Sequence, residues 1–309
     1  CLLPQTRIFV PHSIENCYMG IDKQLLLGLK ADDFRHPLDL QATNTLKQLP
    51  GLDLTVRSLL GSVAEEFFYL NNIGASVQIN EQQLPDLHQL LLEACQILDL
   101  EPPQLYLQQN PTPNAYTFAM RGKKPFMVLH TSLVEMLTPP EIQAVMAHEL
   151  GHLKCEHGVY LTLVNIMVLS AGLLPSWGTV LAQSLQNQML EWLRCAEFSC
   201  DRAALLASQD PQVVMSVLMK LAGGSPTIAP RLNLEAFVRQ ARDYEAMGET
   251  EMGEMLKAAQ TQQLSHPVPV MRAKEIDRWS SSQNYLELLK RRRTGNDGET
   301  AIQGGWRNW

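Results

Sequence analysis

The sequence predicts a mainly α-helical fold with one small β-sheet, which is an α+β class. Apolar residues recur three and four positions apart over most of the 309 residues, the period of an amphipathic helix. Alternating or short apolar runs occur in one zone, at 104–108, 115–120 and 126–130, and turn-forming residues separate them. We therefore predict a sheet of three strands set among helices, with 75–79 as a candidate further strand.

The helical pattern of the N-terminal part is interrupted once. Patterns at 39–49 and 52–70 are separated by Pro50 and Gly51, and another amphipathic pattern covers 83–98. Beyond the strand-rich zone the chain is helical almost to its end, and the last residues are rich in Gly and polar side chains. The predicted organisation is an irregular segment 1–20, a helical extension 21–84, a main domain 85–290 and a disordered tail 291–309.

Charge and composition exclude a nucleic-acid-binding protein. Hydrophobic residues make up 45% of the chain, which is enough for a sizeable core, and the net charge is −7. The one basic run, 290–293, sits beside a polar tail and is interpreted as a solvated helix end. We therefore expect no nucleic-acid partner.

The six cysteines are spread along the chain and form no CxxC pair. This spacing argues against a disulfide framework and against a cysteine-rich zinc module, and it favours a reducing compartment. The sequence starts at Cys1 and shows no basic region followed by an apolar one. Any targeting segment is therefore expected to lie upstream.

One predicted helix carries a metal-binding pattern. Thr138, Pro139 and Glu141 form a helix start, and the helix continues into His148 and His152. Residues four apart project from the same face of a helix, so both imidazoles can bind one zinc ion. Glu149 lies about 100° further round the helix, where it can reach water at the metal as a general base.

A catalytic zinc site needs a third protein ligand. The extended HExxHxxGxxH pattern is excluded, because Cys155 stands where it needs glycine and Gly158 where it needs histidine. His157 is five residues past His152, about 140° away round the helix, so we expect it to face elsewhere as a solvent-side or capping residue. Cys155 is expected to pack in the core.

The better candidate for the third ligand lies on a later helix, predicted over 185–207. Glu197 and Asp201 are four residues apart beside its apolar stripe, where a pair of carboxylates is costly unless it meets a cation. Glu197 as a zinc ligand, with Asp201 accepting a hydrogen bond from a ligand histidine, would account for both. The alternative is a pair of surface acids with Arg194 or Arg202 as partners.

These residues together resemble the HtpX and CAAX-protease type of zinc metallopeptidases (family forty-eight, gluzincins). The resemblance spans about half the chain. The amino-acid sequences of two further segments are similar to those of the cyanobacterial and plastid branch of this family. The matching pieces are Asn114-Ala115-Tyr116, Ala147 to His152, Glu197 to Asp201, and His266-Pro267 followed by Arg272.

The resemblance implies a gluzincin fold with an HExxH active-site helix in domain 85–290. It implies one Zn²⁺ per chain on His148, His152 and Glu197, with Glu149 as the base and Asp201 as the supporting aspartate. It also implies that His266 steadies the transition state, with Arg272 nearby. One departure is Cys200, where relatives usually have alanine.

The implied activity is that of a zinc-dependent endopeptidase acting on protein or peptide substrates. Water activated at the metal would give its proton to Glu149, which would pass it to the leaving amine. An extended peptide is predicted to pair with an exposed strand edge at 126–130, with Asn114, Phe126 and Val128 as substrate contacts. The rival interpretations are a catalytically silent zinc-binding scaffold or membrane quality-control adaptor, and a hydrolase of non-peptide amides.

A long uncharged stretch, 158–190, raises the question of membrane contact. Its strongly apolar part, 159–174, is about 16 residues long, shorter than the roughly 20 that a spanning helix needs. We predict a re-entrant hairpin or a flank that dips into one leaflet; the alternative is a buried pair of core helices. The resemblance implies a plastid location at plastoglobules or thylakoids, or a cyanobacterial membrane-associated one.

Overall fold

The computed structural model describes residues 23–48, 69–70, 72–119, 124–158, 176–261 and 266–290. The predicted irregular segment 1–20, the tail 291–309 and nearly all of the helical pattern 52–70 lie outside the described residues. So does the apolar part of the uncharged stretch, 159–174.

The described part is mostly helical with a small mixed sheet, which agrees with the predicted α+β class. In chain order its elements are α1 (Ala31–Phe34), α2 (Pro37–Lys47), β1 (Val77–Ile79), α3 (Pro85–Ile97), β2 (Gln104–Gln108), β3 (Ala115–Phe118), β4 (Phe126–His130), α4 (Thr131–Met136), α5 (Pro139–Lys154), α6 (Ser176–Ser208), α7 (Pro211–Gly223), α8 (Leu234–Ala246), α9 (Glu251–Thr261), α10 (Pro269–Ser280) and α11 (Gln283–Lys290). Two short 3₁₀ helices flank α8, at Ala229–Arg231 and Met247–Glu249.

The sheet has four strands in the order β1-β2-β4-β3. The candidate strand at 75–79 is present as β1, which pairs antiparallel with β2. Strand β4 pairs parallel with β2 and antiparallel with β3, so it lies inside the sheet. The prediction that 126–130 is an exposed edge is therefore wrong; among the described strands the edges are β1 and β3, and β3 is the edge strand that pairs with β4.

The burial of Phe126 and Val128 also contradicts their predicted role as substrate contacts. Their side chains are 2% and 0% exposed and pack with Tyr106 in a small cluster on one face of the sheet. Side chains alternate between the faces of a strand, so Met127 and Leu129 point to the opposite face and join the main core.

Helix α5 lies in the middle of the main core and packs most extensively against α6. It begins at the predicted place, where the Glu141 carboxylate accepts a 2.8 Å hydrogen bond from the backbone N–H of Thr138. Gly151 allows α6 to come close, because a Cβ atom there would lie 2.9 Å from the Cα atom of Cys200. The two helices can therefore place side chains of both around one small volume.

The N-terminal segment 23–48 belongs to the same core. Leu26, Leu29 and Phe34 are each 1% exposed within the main apolar cluster, and α2 packs against α6. The Arg35 guanidinium donates to the carbonyl oxygen of Cys155 at the end of α5. Within the ranges described above, no helix has the length and apolar character needed to cross a membrane.

Candidate metal centre

Helices α5 and α6 bring His148, His152 and Glu197 together. The two histidines lie one turn apart on α5, and their ring centroids are 5.3 Å apart. The Nε2 atom of His148 lies 3.4 Å from Glu197 Oε2, and the Nε2 atom of His152 lies 3.4 Å from Glu197 Oε1. Two nitrogens and a carboxylate thus converge on one point between the helices.

This spacing fits a zinc ion. Zinc bonds to nitrogen and oxygen are about 2.0–2.2 Å long, so neighbouring ligand atoms of a tetrahedral site lie about 3.3 Å apart. Within the described ranges, the buried Oε2 atom of Glu197 accepts no hydrogen bond of good geometry. The carboxylates of Glu149, Glu197 and Asp201 share the cavity with one guanidinium, that of Arg272, and the excess negative charge suits a divalent cation.

Asp201 and Arg272 surround the first histidine. Asp201 Oδ1 lies 3.0 Å from Nδ1 of His148, and this contact leaves the Nε2 lone pair free for a metal. The Arg272 guanidinium holds Asp201 with two hydrogen bonds, of 2.8 and 2.6 Å, and its Nη1 atom lies 3.1 Å from Glu197 Oε2. Asp201 and Arg272 therefore both lie against the Nδ1 side of the His148 ring.

The surroundings of the second histidine differ from the prediction. His157 is 0% exposed, and its Nδ1 atom lies 3.2 Å from Nδ1 of His152. Its Nε2 atom lies 3.1 Å from Oδ2 of Asp39, which is on α2. The prediction of a solvent-side or capping histidine is wrong, because α5 ends at Lys154 and the chain then turns back towards His152.

Burial and charge set the protonation of this cluster. Burial disfavours the charged His148 ring, but Glu197 and Asp201 outweigh it and raise the pKa of His148 to about 10. Burial also opposes ionisation of Glu197, yet the charges of Arg272, His266 and His148 hold the pKa of that carboxyl well below its usual range. The site therefore stabilises a positive charge between the two helices.

Cys200 offers a competing donor, because its sulfur and ring nitrogens of His148 and His152 lie within 4.8 Å of one another. Burial, with Cys155 and nearby carboxylates, raises the pKa of the Cys200 thiol well above its usual range. Glu197 is already ionised, and its two oxygens lie 3.4 Å from the two histidine Nε2 atoms, which is close to the ligand spacing of a tetrahedral zinc site. The donor set that best fits zinc is therefore His148, His152 and Glu197.

Glu149 sits beside the metal-facing atoms and next to strand β3. It is 9% exposed, and its Oε2 atom accepts a 2.9 Å hydrogen bond from the Thr117 hydroxyl. This bond orients the carboxylate and leaves its other oxygen available. Thr117 was not predicted, because only the pairing of β3 at the sheet edge brings it to α5.

The cluster opens into a cavity of about 260 Å³. His266 stands at its mouth, with a 59% exposed side chain and Nε2 3.6 Å from Glu197 Oε1. Asn114 lines one side, next to the start of β3. The other wall is apolar and is formed by Leu133, Ala144, Val145, Ala204, Val214, Val217, Leu218 and Leu221.

Two histidines and a carboxylate around one point, with a glutamate between the histidines in sequence, form the arrangement of a zinc metallopeptidase site. The chain belongs to peptidase family M48, whose family model matches residues 81–280. Membership implies zinc-dependent protease activity, and the family predicted from the sequence is confirmed.

Three relatives illustrate the range of similarity. The chain is 57% identical over 267 residues to the chloroplastic plastoglobule-localized metallopeptidase 48 of Arabidopsis thaliana, covering 86% of this chain and 78% of the relative. It is 27% identical to protease HtpX homolog 2 of Methanosarcina mazei, over 52% of this chain and 64% of the relative. It is 26% identical to the protease HtpX homolog of Moorella thermoacetica, over 55% and 64%. No solved structure matches the chain.

Proposed function

We propose that this chain is a zinc-dependent endopeptidase with one Zn²⁺ held by His148, His152 and Glu197. The observation that carries the proposal is the convergence of both Nε2 atoms on the Glu197 carboxylate at 3.4 Å. Bound zinc supplies a Lewis acid and lowers the pKa of water in the site.

Glu149 is the general base. The hydrogen bond from Thr117 fixes one of its oxygens, so the other takes the proton from the attacking water. Glu149 then returns this proton to the nitrogen of the leaving amine. His266, at the mouth of the cavity, is placed to donate a hydrogen bond to the oxyanion of the peptide carbonyl.

Arg272 and Asp201 have a supporting role in the proposal. The two hydrogen bonds from Arg272 hold the Asp201 carboxylate, which in turn fixes the ring of His148. Such supporting contacts orient the ligands of a metal before it binds. We therefore propose that both residues support the metal site without contacting the substrate.

The substrate binds as an extra strand on β3. Within the described sheet β3 pairs only with β4, and the carbonyl oxygen of Asn114 accepts the N–H of His130. Because antiparallel pairing alternates, the peptide groups of Ala115 and Thr117 point to the free edge. A peptide paired there runs beside Glu149, with Asn114 at its side, and the apolar wall of the cavity suits an apolar substrate side chain.

Replacement of the base tests this mechanism. Glu149→Gln keeps the shape of the side chain but cannot take a proton, so we expect it to retain one zinc per chain and to lose at least about a hundredfold in peptide-cleavage rate. Zinc content and casein cleavage are measured together, with Glu135→Gln, an exposed substitution on α4, as the control.

Full cleavage by Glu149→Gln would refute the mechanism. A wild-type chain that binds zinc but cleaves neither casein nor a peptide library would favour the silent scaffold. Cleavage of small amides alone would favour the non-peptide hydrolase.

We also propose that the protein works at a plastid or cyanobacterial lipid surface. The relative from Arabidopsis thaliana is named as plastoglobule-localized, and this chain has an uncharged stretch at 158–190. Exposed apolar side chains also cluster near α9, where Met247, Met252, Met255 and Leu256 are each at least 60% exposed. We expect the chain to float with galactolipid or phospholipid vesicles in a density gradient. A protein that stays at the bottom without aggregating would contradict this.

A further inference from the structure

The end of helix α5 returns the chain to the second histidine. Glu156 adopts the left-handed backbone region, with φ 57°, and its N–H donates to the carbonyl oxygen of Leu153. The N–H of His157 donates to the carbonyl oxygen of His152 over 2.9 Å. These two bonds form a Schellman motif, which brings His157, the third residue after α5, against His152, five positions earlier.

The side chains of His152 and His157 meet through their Nδ1 atoms, 3.2 Å apart. One of the two nitrogens must carry the hydrogen and the other must accept it. Because His152 offers its Nε2 lone pair towards the metal position, its Nδ1 carries the hydrogen and donates to His157. His157 then carries its own hydrogen on Nε2, which donates to Asp39 Oδ2 over 3.1 Å.

Asp39 is buried and is the last acceptor in this series of hydrogen bonds. It is 0% exposed, and its two oxygens accept hydrogen bonds from the hydroxyls of Ser199, at 2.6 Å, and Thr43, at 3.0 Å. The indole N–H of Trp192 donates to the Thr43 hydroxyl and holds it in place. A buried carboxylate with this many donors is held in one orientation. It can therefore fix the imidazole ring of His157, which donates a hydrogen bond to it.

We propose that His157 and Asp39 are positioning residues of the metal centre, and that they hold the ring and the tautomer of His152 in the metal-binding state. The inference rests on the proposed function in that it needs a metal on His152. The first histidine, His148, reaches its buried carboxylate, Asp201, directly, whereas His152 reaches Asp39 through His157. Both ligand rings would then be held by a buried negative charge.

The proposed role of Asp39 also concerns the function of the N-terminal segment. Asp39 lies on α2, outside the residues 81–280 that the family model matches. The segment that precedes the matched region would therefore contribute to the metal centre and would not be only an appended extension.

A second buried metal is the competing explanation, because donor atoms of Asp39, Cys155 and His157 lie within 4.8 Å of one another. The hydrogen bonds favour the positioning role: both ring nitrogens of His157 and both oxygens of Asp39 already have partners. One zinc per wild-type chain is expected, and two per chain would overturn the proposal.

The test measures the zinc affinity of the full chain by chelator competition. It needs no cleavage assay, so a negative result can be distinguished from a lack of proteolytic activity. Asp39→Asn keeps the shape and removes the charge. His157→Gln places an amide near the former Nε2 and removes the acceptor for His152, whereas His157→Asn keeps an acceptor near the former Nδ1. We expect the zinc dissociation constant to rise roughly 10- to 100-fold in Asp39→Asn and His157→Gln, and less in His157→Asn.

Controls separate positioning from general stability. Glu141→Gln breaks a buried ion pair at the other end of α5, so it should lower the melting temperature and leave zinc affinity unchanged. Cobalt-substituted Asp39→Asn should show a shifted visible absorption spectrum. Wild-type zinc affinity in folded Asp39→Asn and His157→Gln would overturn the proposal, as would a larger loss in His157→Asn than in His157→Gln.

A measurement on the wild-type chain covers the case in which the variants do not fold. Long-range ¹H–¹⁵N spectra of the zinc-loaded protein should show His157 protonated on Nε2 only and His152 protonated on Nδ1 only. A proton on Nδ1 of His157 would overturn the proposed direction of the hydrogen bonds.

Discussion

At the scale of single residues, Glu141 shows how buried charge is stabilised away from the metal centre. Its carboxylate accepts from the Ser216 hydroxyl at 2.7 Å, from Lys220 at 2.6 Å and from the backbone of Thr138. Burial opposes ionisation, but these donors outweigh it and lower the pKa of Glu141 below its usual value. A carboxyl whose pKa is lower in the folded state contributes stability above its unfolded pKa and loses it as the pH falls through the folded value.

Because the Glu141 carboxyl stabilises the fold only while it is ionised, the effect of Glu141→Gln should depend on pH. At pH 7 the variant should be less stable than wild type by about 1 to 3 kcal/mol, because a buried charged hydrogen-bond network is broken. As the pH falls through the lowered pKa of the folded wild-type carboxyl, that group becomes protonated as well, so the difference should shrink. Urea unfolding of the metal-free proteins over a series of decreasing pH values measures this, and a difference that stays constant across the series would contradict the prediction.

Residue spacing revealed only part of the candidate site. His148, Glu149 and His152 are readable because the helical period fixes their relative directions over one turn. His157 was misplaced because the same period was extended past Lys154, where a left-handed Glu156 ends the helix. A helix that ends in this conformation usually has glycine at the left-handed position. Here that position is occupied by glutamate, which is uncommon there, so the sequence carries no signal of the turn.

At the scale of secondary-structure elements, the close approach of α5 and α6 positions the third ligand. Gly151→Ala would place a Cβ atom 2.9 Å from the backbone of Cys200, and backbone cannot yield as a flexible side chain can. We expect α6 to shift, so that stability falls by about 1 to 3 kcal/mol and zinc binds more weakly. Gly223→Ala is the matched control, since a Cβ atom there meets nothing within 4 Å.

Melting temperatures and zinc affinity of the two alanine variants decide this point. Wild-type zinc affinity in Gly151→Ala would show that the distance between α5 and α6 does not control the site.

The strands illustrate a limit of sequence patterns at the same scale. The positions of β2, β3 and β4 follow from alternation and turn residues, but their order in the sheet does not. Strand β4 is the most apolar of the three because the side chains on both of its faces are buried, and the sequence prediction took that apolar run for an edge. A strand buried on both faces and paired on both sides is expected to be a continuous apolar run.

At the scale of the whole molecule, the N-terminal segment and the later helices meet around the site. Residues 23–48 share the main core with the matched region 81–280. The packing of the described residues therefore shows no domain boundary between the two segments. Periodicity predicted helices here but not where they pack, because contacts across more than a hundred residues leave no local pattern. The domain boundary at residue 85 stays a prediction; segment 23–48 contributes no residue to the wall of the cavity.

Anomalous X-ray scattering at the zinc edge, from crystals of the zinc-loaded chain, locates the metal and its ligands in one measurement. We expect one peak per chain, coordinated by Nε2 of His148, Nε2 of His152 and the carboxylate of Glu197, with Glu149 outside the ligand set. A peak coordinated by Cys200 in place of Glu197, or one between Asp39, Cys155 and His157, would contradict this expectation.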